Sequence, residues 1–385
     1  MHLERCSSNP LSSAGCGNYF TLPPQAVAGA HRMTENRPIR IARGKRVTIA
    51  DLAREAGVSV ATVDRVLNVR LPVREETARR VHAAAHAIGY HAAGLIKQRL
   101  QQHLPHYKLG FILRKPAHHF YQDFAREIEA SVSLAQSFHG LPVIEFAQSH
   151  LPRDLLPLLK DLGSRCQAIA MVAADHPKIT ASVEELKAKG IPVFSLLSDF
   201  ADGVREGYIG LNNRKVGRTA AWVFSKAAKR PGKVAVFVGS HRFQAHALRE
   251  IAFRSYFREN APTFEVLDTL VNLDKRQLTY EKLLDLMHRE PELVGFYMAG
   301  GGIEGAISAL REEGSGQDLV AIVSEITPQS RGALADDILT MAVGTPMRRL
   351  CQEVIMAMER AIKAGVAESP GQTFLPFDIY LPENV

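Results

Sequence analysis

The most legible chemistry lies between Val47 and Asn68, in the run VTIADLAREAGVSVATVDRVLN. Thr48 is placed to cap a helix, with Asp51 three residues on as the other half of a capping box. Ile49, Leu52, Ala53 and Ala56 then fall on one helical face. Gly57 ends that helix, where a left-handed residue is least strained without a Cβ. Val58 plugs the space between helices, and Ser59 is a natural N-cap for a second one. Val63, Val66 and Leu67 give the second helix an apolar face and leave Val60, Ala61, Asp64 and Arg65 outward. A helix, a Gly-Val-Ser turn and a second helix with small leading residues make a helix-turn-helix. Small residues suit that place because the second helix must approach the floor of the DNA major groove. Glu75 and Glu76 open a third helix favourably for its dipole. Val81, Ala84, Ala85 and Ile88 pack it inward as far as Gly89-Tyr90.

The charge distribution agrees. The formal net charge of the 385 residues is +7. Residues 33–108 carry 14 Lys/Arg against 6 Asp/Glu, whereas residues 109–385 carry 31 against 33. The basic character is thus confined to one short segment, the footprint of a nucleic-acid-binding module on a near-neutral body. With 46% hydrophobic and 23% charged residues, the composition is that of a globular chain long enough for two or three cores. No apolar run approaches the roughly 20 residues of a membrane-spanning helix. The start, MHLERCSSNPLSSAGCGNYF, lacks the apolar segment of a secretory signal. Cys6, Cys16, Cys166 and Cys351 form no Cys-x-x-Cys pair, which argues against a zinc site or a disulfide framework. A cytoplasmic setting without membrane contact is expected.

The elements that must carry these residues follow in order. Residues 1–45 are rich in Ser, Gly, Pro and Arg and are expected to be disordered; Met33 within them reads as the true start of translation. Residues 46–91 form the helix-turn-helix head, 92–106 a hinge or linker, and 107–385 an α/β body. In the body, apolar runs such as LGFIL (109–113), PVIEF (142–146), AIAMVAA (168–174) and IPVFSLL (191–197) alternate with helix-like stretches. The runs resume at 233–239, 264–270, 293–299, 319–325 and 339–344, and the amphipathic helices include 121–138, 214–229 and 347–364. Continuous apolar strands between helices predict parallel sheets covered on both faces. So many strands exceed one compact sheet and predict two similar lobes.

Through VTIADLAREAGVSVATVDRVLN and VREETARRVHAAAHAIGY, the sequence resembles the lac repressor (LacI/GalR) family of bacterial regulators, and it is compatible with that family as far as Tyr380. The resemblance implies an all-α DNA-binding head and a two-lobed, periplasmic-binding-protein-like (type I) α/β sensor. It implies that Val60, Ala61 and Arg65 face base edges, arginine typically reading guanine O6 and N7. It also implies that Thr48, Ser59, Asn68, Thr77 and Tyr90 lie at or near phosphates, which set register without reading sequence.

Two departures stand out. Asp64 replaces the usual Ser, and it could accept from cytosine, orient Arg65, or pair with neighbours on the helix surface. After Tyr90, His91-Ala92-Ala93-Gly94 replaces the usual start of a hinge helix. A hinge over 95–100 with Leu100 as minor-groove wedge, Arg99 in that place, or an ordinary linker helix all stay open.

The resemblance further implies an effector site between the lobes, at the carboxyl ends of strands. The matching residues are Phe120, Asp199, Phe200, Asn212 with Asn213, Arg249 and Glu325. Polar groups of these kinds grip hydroxyls and an aromatic stacks on a sugar ring, though Asn or Asp after a strand serves equally as a turn or helix cap. Gly300-Gly301-Gly302 stands where the family holds an Asp, which suggests a reshaped pocket. No Gly-Lys-Ser/Thr follows it, so it is not a phosphate loop. No carboxylate or Cys completes a metal site around His118-His119 or His103 and His106, and neither metal nor cofactor is expected.

The expected function is a sequence-specific transcription regulator, a repressor in the first instance. It would act as a homodimer on a pseudo-palindromic double-stranded operator, controlled by a small polar effector such as a sugar or polyol. The alternative is an enzyme of sugar kinase or dehydrogenase type fused to a DNA-binding head, but no strand-linked GxGxxG, phosphate loop or nucleophile elbow is present. If Arg65 reads a guanine, Arg65→Ala loses about 1–3 kcal/mol of discrimination between cognate and random DNA at matched salt. Unchanged discrimination in a competition assay removes Arg65 from the reading face.

Overall fold

The computed structural model describes residues 47–68, 73–94, 96, 104–314 and 318–385. The N-terminal extension, Met33 and the hinge with Arg99 and Leu100 lie outside the described residues. The chain divides into two compact units, residues 1–93 and 94–385.

In the first unit, α1 (Ile49–Ala56), α2 (Val60–Asn68) and α3 (Glu75–Ala87) form where the caps predict. The Thr48 hydroxyl accepts from the Asp51 amide at 3.3 Å, and the Thr48 amide donates back to the Asp51 carboxylate at 3.1 Å. Gly57 takes φ 63° and turns the chain, and Ser59 Oγ accepts from the Thr62 amide at 3.1 Å to start α2. Leu52, Ala53, Ala56, Val63, Val66, Val81, Ala84, Ala85 and Tyr90 are buried together, while Leu67 and Ile88 are half-buried. One support was not foreseen. Arg80 of α3 donates to the carbonyls of Ala56 and Gly57, at 2.9 and 3.0 Å, and so closes the open end of α1.

The second unit holds two α/β lobes. In the first lobe, β1 (His106–Arg114), β2 (His139–Ala147), β3 (Ala168–Met171), β4 (Val193–Leu196), β5 (Gly207–Leu211) and β12 (Gly371–Leu375) pair in parallel in the order β12-β5-β4-β3-β1-β2. Along β1, Phe111 and Leu113 join one cluster with Phe124 and Ile128 of α4 (His119–Ser133) and Val354 and Met358 of α12 (Met347–Ala364). Ile112 points the other way, onto Leu155 and Leu159 of α5 (Pro152–Arg165) and Ile179 and Val183 of α6 (Pro177–Ala188). Both faces of the sheet are therefore dry. Each fully buried aliphatic or aromatic side chain there contributes roughly 1.5–3 kcal/mol.

In the second lobe, β6 (Lys233–Val238), β7 (Glu265–Val266), β8 (Leu270–Val271), β9 (Leu293–Met298), β10 (Val320–Ser324), β11 (Met341–Gly344) and β13 (Asp378–Tyr380) form the other sheet. Among the described residues, only the β11–β13 pair is antiparallel. The helix α7 (Asn213–Ala227) precedes β6, and α8 (Gln244–Asn260), α9 (Arg276–Arg289), α10 (Ile303–Glu313) and α11 (Pro328–Ala335) lie between its strands in the chain. Gly217 lets α7 and α8 touch, since a Cβ there would stand 2.2 Å from the Arg249 carbonyl oxygen.

The structure differs from the sequence-based expectation in the helix expected over 121–138, which ends at Ser133, and in several strands. The run 264–270 is not one strand, because Arg254 collects the carbonyls of Val266 and Leu267 at 3.1 and 2.6 Å and interrupts the ladder between β7 and β8. β5, β12 and β13 were not anticipated. The chain passes between lobes three times: from β5 to α7, from β11 to α12, and from β12 to β13.

If the Arg80 cap holds α1, Arg80→Ala should weaken the head by about 1–2 kcal/mol, as for loss of a charged hydrogen bond. Amide exchange at Gly57 and Val58 in the full chain reports it, and unchanged protection there rules the cap out.

Candidate functional sites in the head and the cleft

On the head, Val60, Ala61 and Arg65 share an exposed face of α2, with Val60 51% exposed. Asp64 beside them accepts from Asn68 Nδ2 at 2.6 Å, so the acid and Asn68 are turned to each other. The hydroxyls of Thr48 and Ser59 serve as helix caps at the starts of α1 and α2. Thr77 is half-buried, and Tyr90 is only 6% exposed with its ring 4.6 Å from that of His91. The Tyr90 ring therefore belongs to the core and not to the face.

In the body, side chains from both lobes converge on a cleft that is open to solvent on one side. The first lobe contributes Arg114 and Lys115 at the end of β1, His118, Phe120 and Tyr121 at the start of α4, and Ser198 after β4. The second contributes Phe243, His246 and Arg249 around α8, Asp274 after β8, Gly300–Gly302 after β9, and Glu325 with Thr327 after β10. All sit at carboxyl ends of parallel strands or on the helices that follow, where backbone groups are free of the ladder.

Arg249 is buried. Its Nε donates to Asn213 Oδ1 at 2.7 Å and one Nη to the Ala299 carbonyl at 3.1 Å. Phe253, one turn on, is fully buried and stacks on Tyr297 with ring centres 4.9 Å apart. Asn213 donates onward to the Tyr208 hydroxyl at 3.2 Å, linking α8 to the first crossover. Glu325, at φ 91°, accepts from Thr345 Oγ1 at 2.6 Å and the Thr345 amide at 3.2 Å, at the second crossover. Burial raises its pKa against the opposing pull of Arg249. Phe120 is half-buried at the rim, edge-on to Tyr121.

Of the sequence-based candidates, Phe120, Arg249 and Glu325 are brought together, and three are not. Asp199 is turned into the first lobe, where Arg205 pairs with both its oxygens and Ser195 Oγ donates at 2.6 Å. Its carboxylate thus neutralises a buried guanidinium and does not face the cleft. Phe200 is 1% exposed in the core with Leu155 and Ile179. Asn212 caps α7, accepting from the Lys215 amide at 3.1 Å, and its neighbour Asn213 is the one that reaches Arg249.

Sequence reasoning missed Arg114, Lys115, His246 and Asp274. Arg114-Lys115 directly follows LGFIL, and His246 precedes Arg249 by three residues on the same helix face, so both carried a usable signal. Asp274 did not, because its strand is broken. Gly300–Gly302 makes the turn into α10, Gly302 at φ 92°, and it also leaves room for Asp274. A Cβ on Gly301 would lie 3.1 Å from the Asp274 Cβ, and the Gly301 amide donates to Asp274 Oδ1 at 2.9 Å. The acid missing from the triple-glycine turn is supplied from β8.

Burial works against the Asp274 carboxylate, but the positive charges of His246, Arg114 and Lys115 outweigh it and hold the pKa below the usual value. Burial pushes Lys115 and His118 down, and takes His246 from 6.5 to about 4. Among the described residues no His/Cys/Asp/Glu cluster is placed to hold a metal, and no helix is long and apolar enough to cross a membrane.

The fold and the cleft define a two-lobed α/β ligand-binding body, accompanied by a helix-turn-helix head. Residues 160–365 match the periplasmic binding protein domain, and residues 48–92 match the bacterial regulatory proteins of the lacI family. The chain belongs to the lacI family, with a periplasmic-binding-protein-like domain as its body. The model matched by the head is that of bacterial regulatory proteins.

Catabolite control protein A of Priestia megaterium is 30% identical over 151 residues, 38% of this chain and 42% of that protein. The sucrose operon repressor of Streptococcus mutans is 25% identical over 222 residues, 57% and 64% of the two chains. The matches thus span less than two thirds of these relatives. Among solved structures, an ABC transporter solute-binding protein from Burkholderia graminis in complex with D-arabinose superposes with a TM-score of 0.66 at 19% identity, covering 72% of this chain and 96% of that one. One from Agrobacterium vitis bound with alpha-D-tagatopyranose gives 0.65 at 17%, covering 72% and 95%. At such identities the likeness shows the fold.

His246 gives a test of the cleft's electrostatics. Its folded pKa lies below its ordinary value, so its contribution to stability is present above pH 6.5 and is lost as pH falls towards 4. The depression corresponds to about 3 kcal/mol at most. His246→Gln should therefore flatten the fall in melting stability across that window. It will not abolish it, because His118 and His150 are lowered in the same direction. An identical acid slope in variant and parent contradicts the burial of His246.

Proposed function

We propose that the protein is a cytoplasmic transcription regulator, a repressor, that binds a pseudo-palindromic operator as a homodimer through the exposed face of α2. Its affinity is set by a small polar effector, a sugar or polyol, held between the lobes. The observation that carries the reading is the convergence of buried Arg249 and half-buried Glu325 on a cleft that opens at the chain's own crossovers. The names of the relatives, among them a sucrose operon repressor, and the sugars held by the solved binding proteins point to the same ligand class.

The mechanism is linkage. A ligand that touches both lobes favours one lobe geometry, and DNA affinity changes by as much as the two geometries differ in ligand affinity. Arg249 and Glu325 suit this role because each faces the cleft and also holds a crossover, through Asn213 and Thr345.

Arg249→Ala should weaken effector binding at least tenfold, about 1.4 kcal/mol, with operator binding in the absence of effector intact. Arg249→Lys should rescue little, since one ammonium cannot reproduce the planar fork. Calorimetric titration and operator binding, read side by side, decide it. Equal dissociation constants in variant and parent remove Arg249 from the site.

A further inference from the structure

Among the described residues of the body, three arginines are buried: Arg114, Arg205 and Arg249. Arg205 donates to both oxygens of Asp199 and to the Gly371 carbonyl. Arg249 donates to Asn213 and the Ala299 carbonyl. Arg114 is different. It is 5% exposed, yet its Nε is buried without a hydrogen-bond partner among the described residues. Its nearest acid, Asp274, lies 3.5 Å away, long for a charge-assisted bond. The ring of Phe243 from the other lobe covers one face of the guanidinium at 4.4 Å. What remains for a ligand is the in-plane edge, and Arg114 lines the cleft.

Two carboxylates of the cleft hold protein donors, and a third stands at its rim. Asp274 Oδ1 receives the Gly301 amide, Glu325 receives both Thr345 donors, and Glu304 lies 3.6 Å from His118 at the rim. Lys115 Nζ donates to the Asp274 carbonyl oxygen at 2.7 Å and keeps its other protons for the cleft. At the end of the cleft formed by β1, Arg114 and Lys115 thus face Asp274 and Glu304, and the Arg114 Nε–H is left without an acceptor. A hydroxyl offers that edge a single neutral acceptor. A carboxylate or phosphate offers two charged oxygens, which match a guanidinium edge with two parallel bonds.

We propose that the effector is an acidic sugar derivative whose oxyanion is read by Arg114, with Lys115 as the second cation. The inference rests on the reading of the cleft as the effector site and narrows its ligand class. A sugar acid and a sugar phosphate share the required chemistry, so both are tested.

The experiment is calorimetric titration of the full chain with matched series: glucose, gluconate, glucuronate and glucose 6-phosphate, and the galactose counterparts. An acidic member is expected to bind at least tenfold more tightly than its neutral parent, more so at low ionic strength. The carboxylate and phosphate arms tell which oxyanion is preferred. Arg114→Gln is expected to weaken the acidic ligand at least tenfold more than the neutral one. The comparison in the parent protein stands even if that variant folds poorly. Neutral sugars binding as tightly as their acids, or equal losses for both in Arg114→Gln, overturn the acidic assignment and leave the sugar-effector reading standing. Binding by no member of either series overturns both.

Discussion

Parallel sheets with both faces buried leave almost no place for polar chemistry except at strand ends, and this constraint organises the body. Charged groups cannot sit on faces already filled by Phe111, Ile112, Leu113 and their partners. They gather instead at the carboxyl ends, where Arg114, Asp274 and Glu325 are found. The three crossovers between lobes leave from those same ends. One region therefore has to hold a ligand, hinge the lobes and satisfy several buried charges together. The Asp199–Arg205 pair fits this picture, since it bonds to Gly371 and Gln372 of β12, the strand that leads into the third crossover. Removing one partner of such a pair strands the other charge and typically costs about 3–5 kcal/mol.

The head obeys a different economy. Its three short helices are held by local devices: a capping box on α1, the Ser59 cap on α2 and the Arg80 clasp on the end of α1. With those groups satisfied inside the unit, Val60, Ala61 and Arg65 are left facing solvent. Small side chains allow close approach to a groove, and the arginine supplies the donor pair that base edges require.

The head was almost fully legible in the sequence because its determinants lie within four residues of each other. Thr48 with Asp51, Gly57 and Ser59 are local signals with local consequences. The body was legible as a class, since apolar runs between helices admit little but covered parallel sheets. Its misses are instructive. GYIGL reads poorly as a strand because it holds Gly207 and Gly210, yet pairing with β4 and β12 makes it β5. Asp199 is a ligand residue by the family resemblance alone, and Arg205, six residues later, folds back and claims it. Arg249 was readable because Phe253 lies on the same helix face, so burying one directs the other. Asp274 depended on a strand interrupted from a distant helix by Arg254, which no local pattern reveals.

If cleft and head are thermodynamically linked, the coupling must be reciprocal. The decisive measurement is a closed cycle on the full chain, using DNA selected by the protein from a random pool and the tightest ligand of the cleft. Ligand affinity is measured with and without DNA, and DNA affinity with and without ligand. Linkage requires the two ratios to agree and to differ from one by a factor of roughly 5 or more. A ligand that fills the cleft tightly while leaving DNA affinity unchanged would contradict the regulatory role assigned to it.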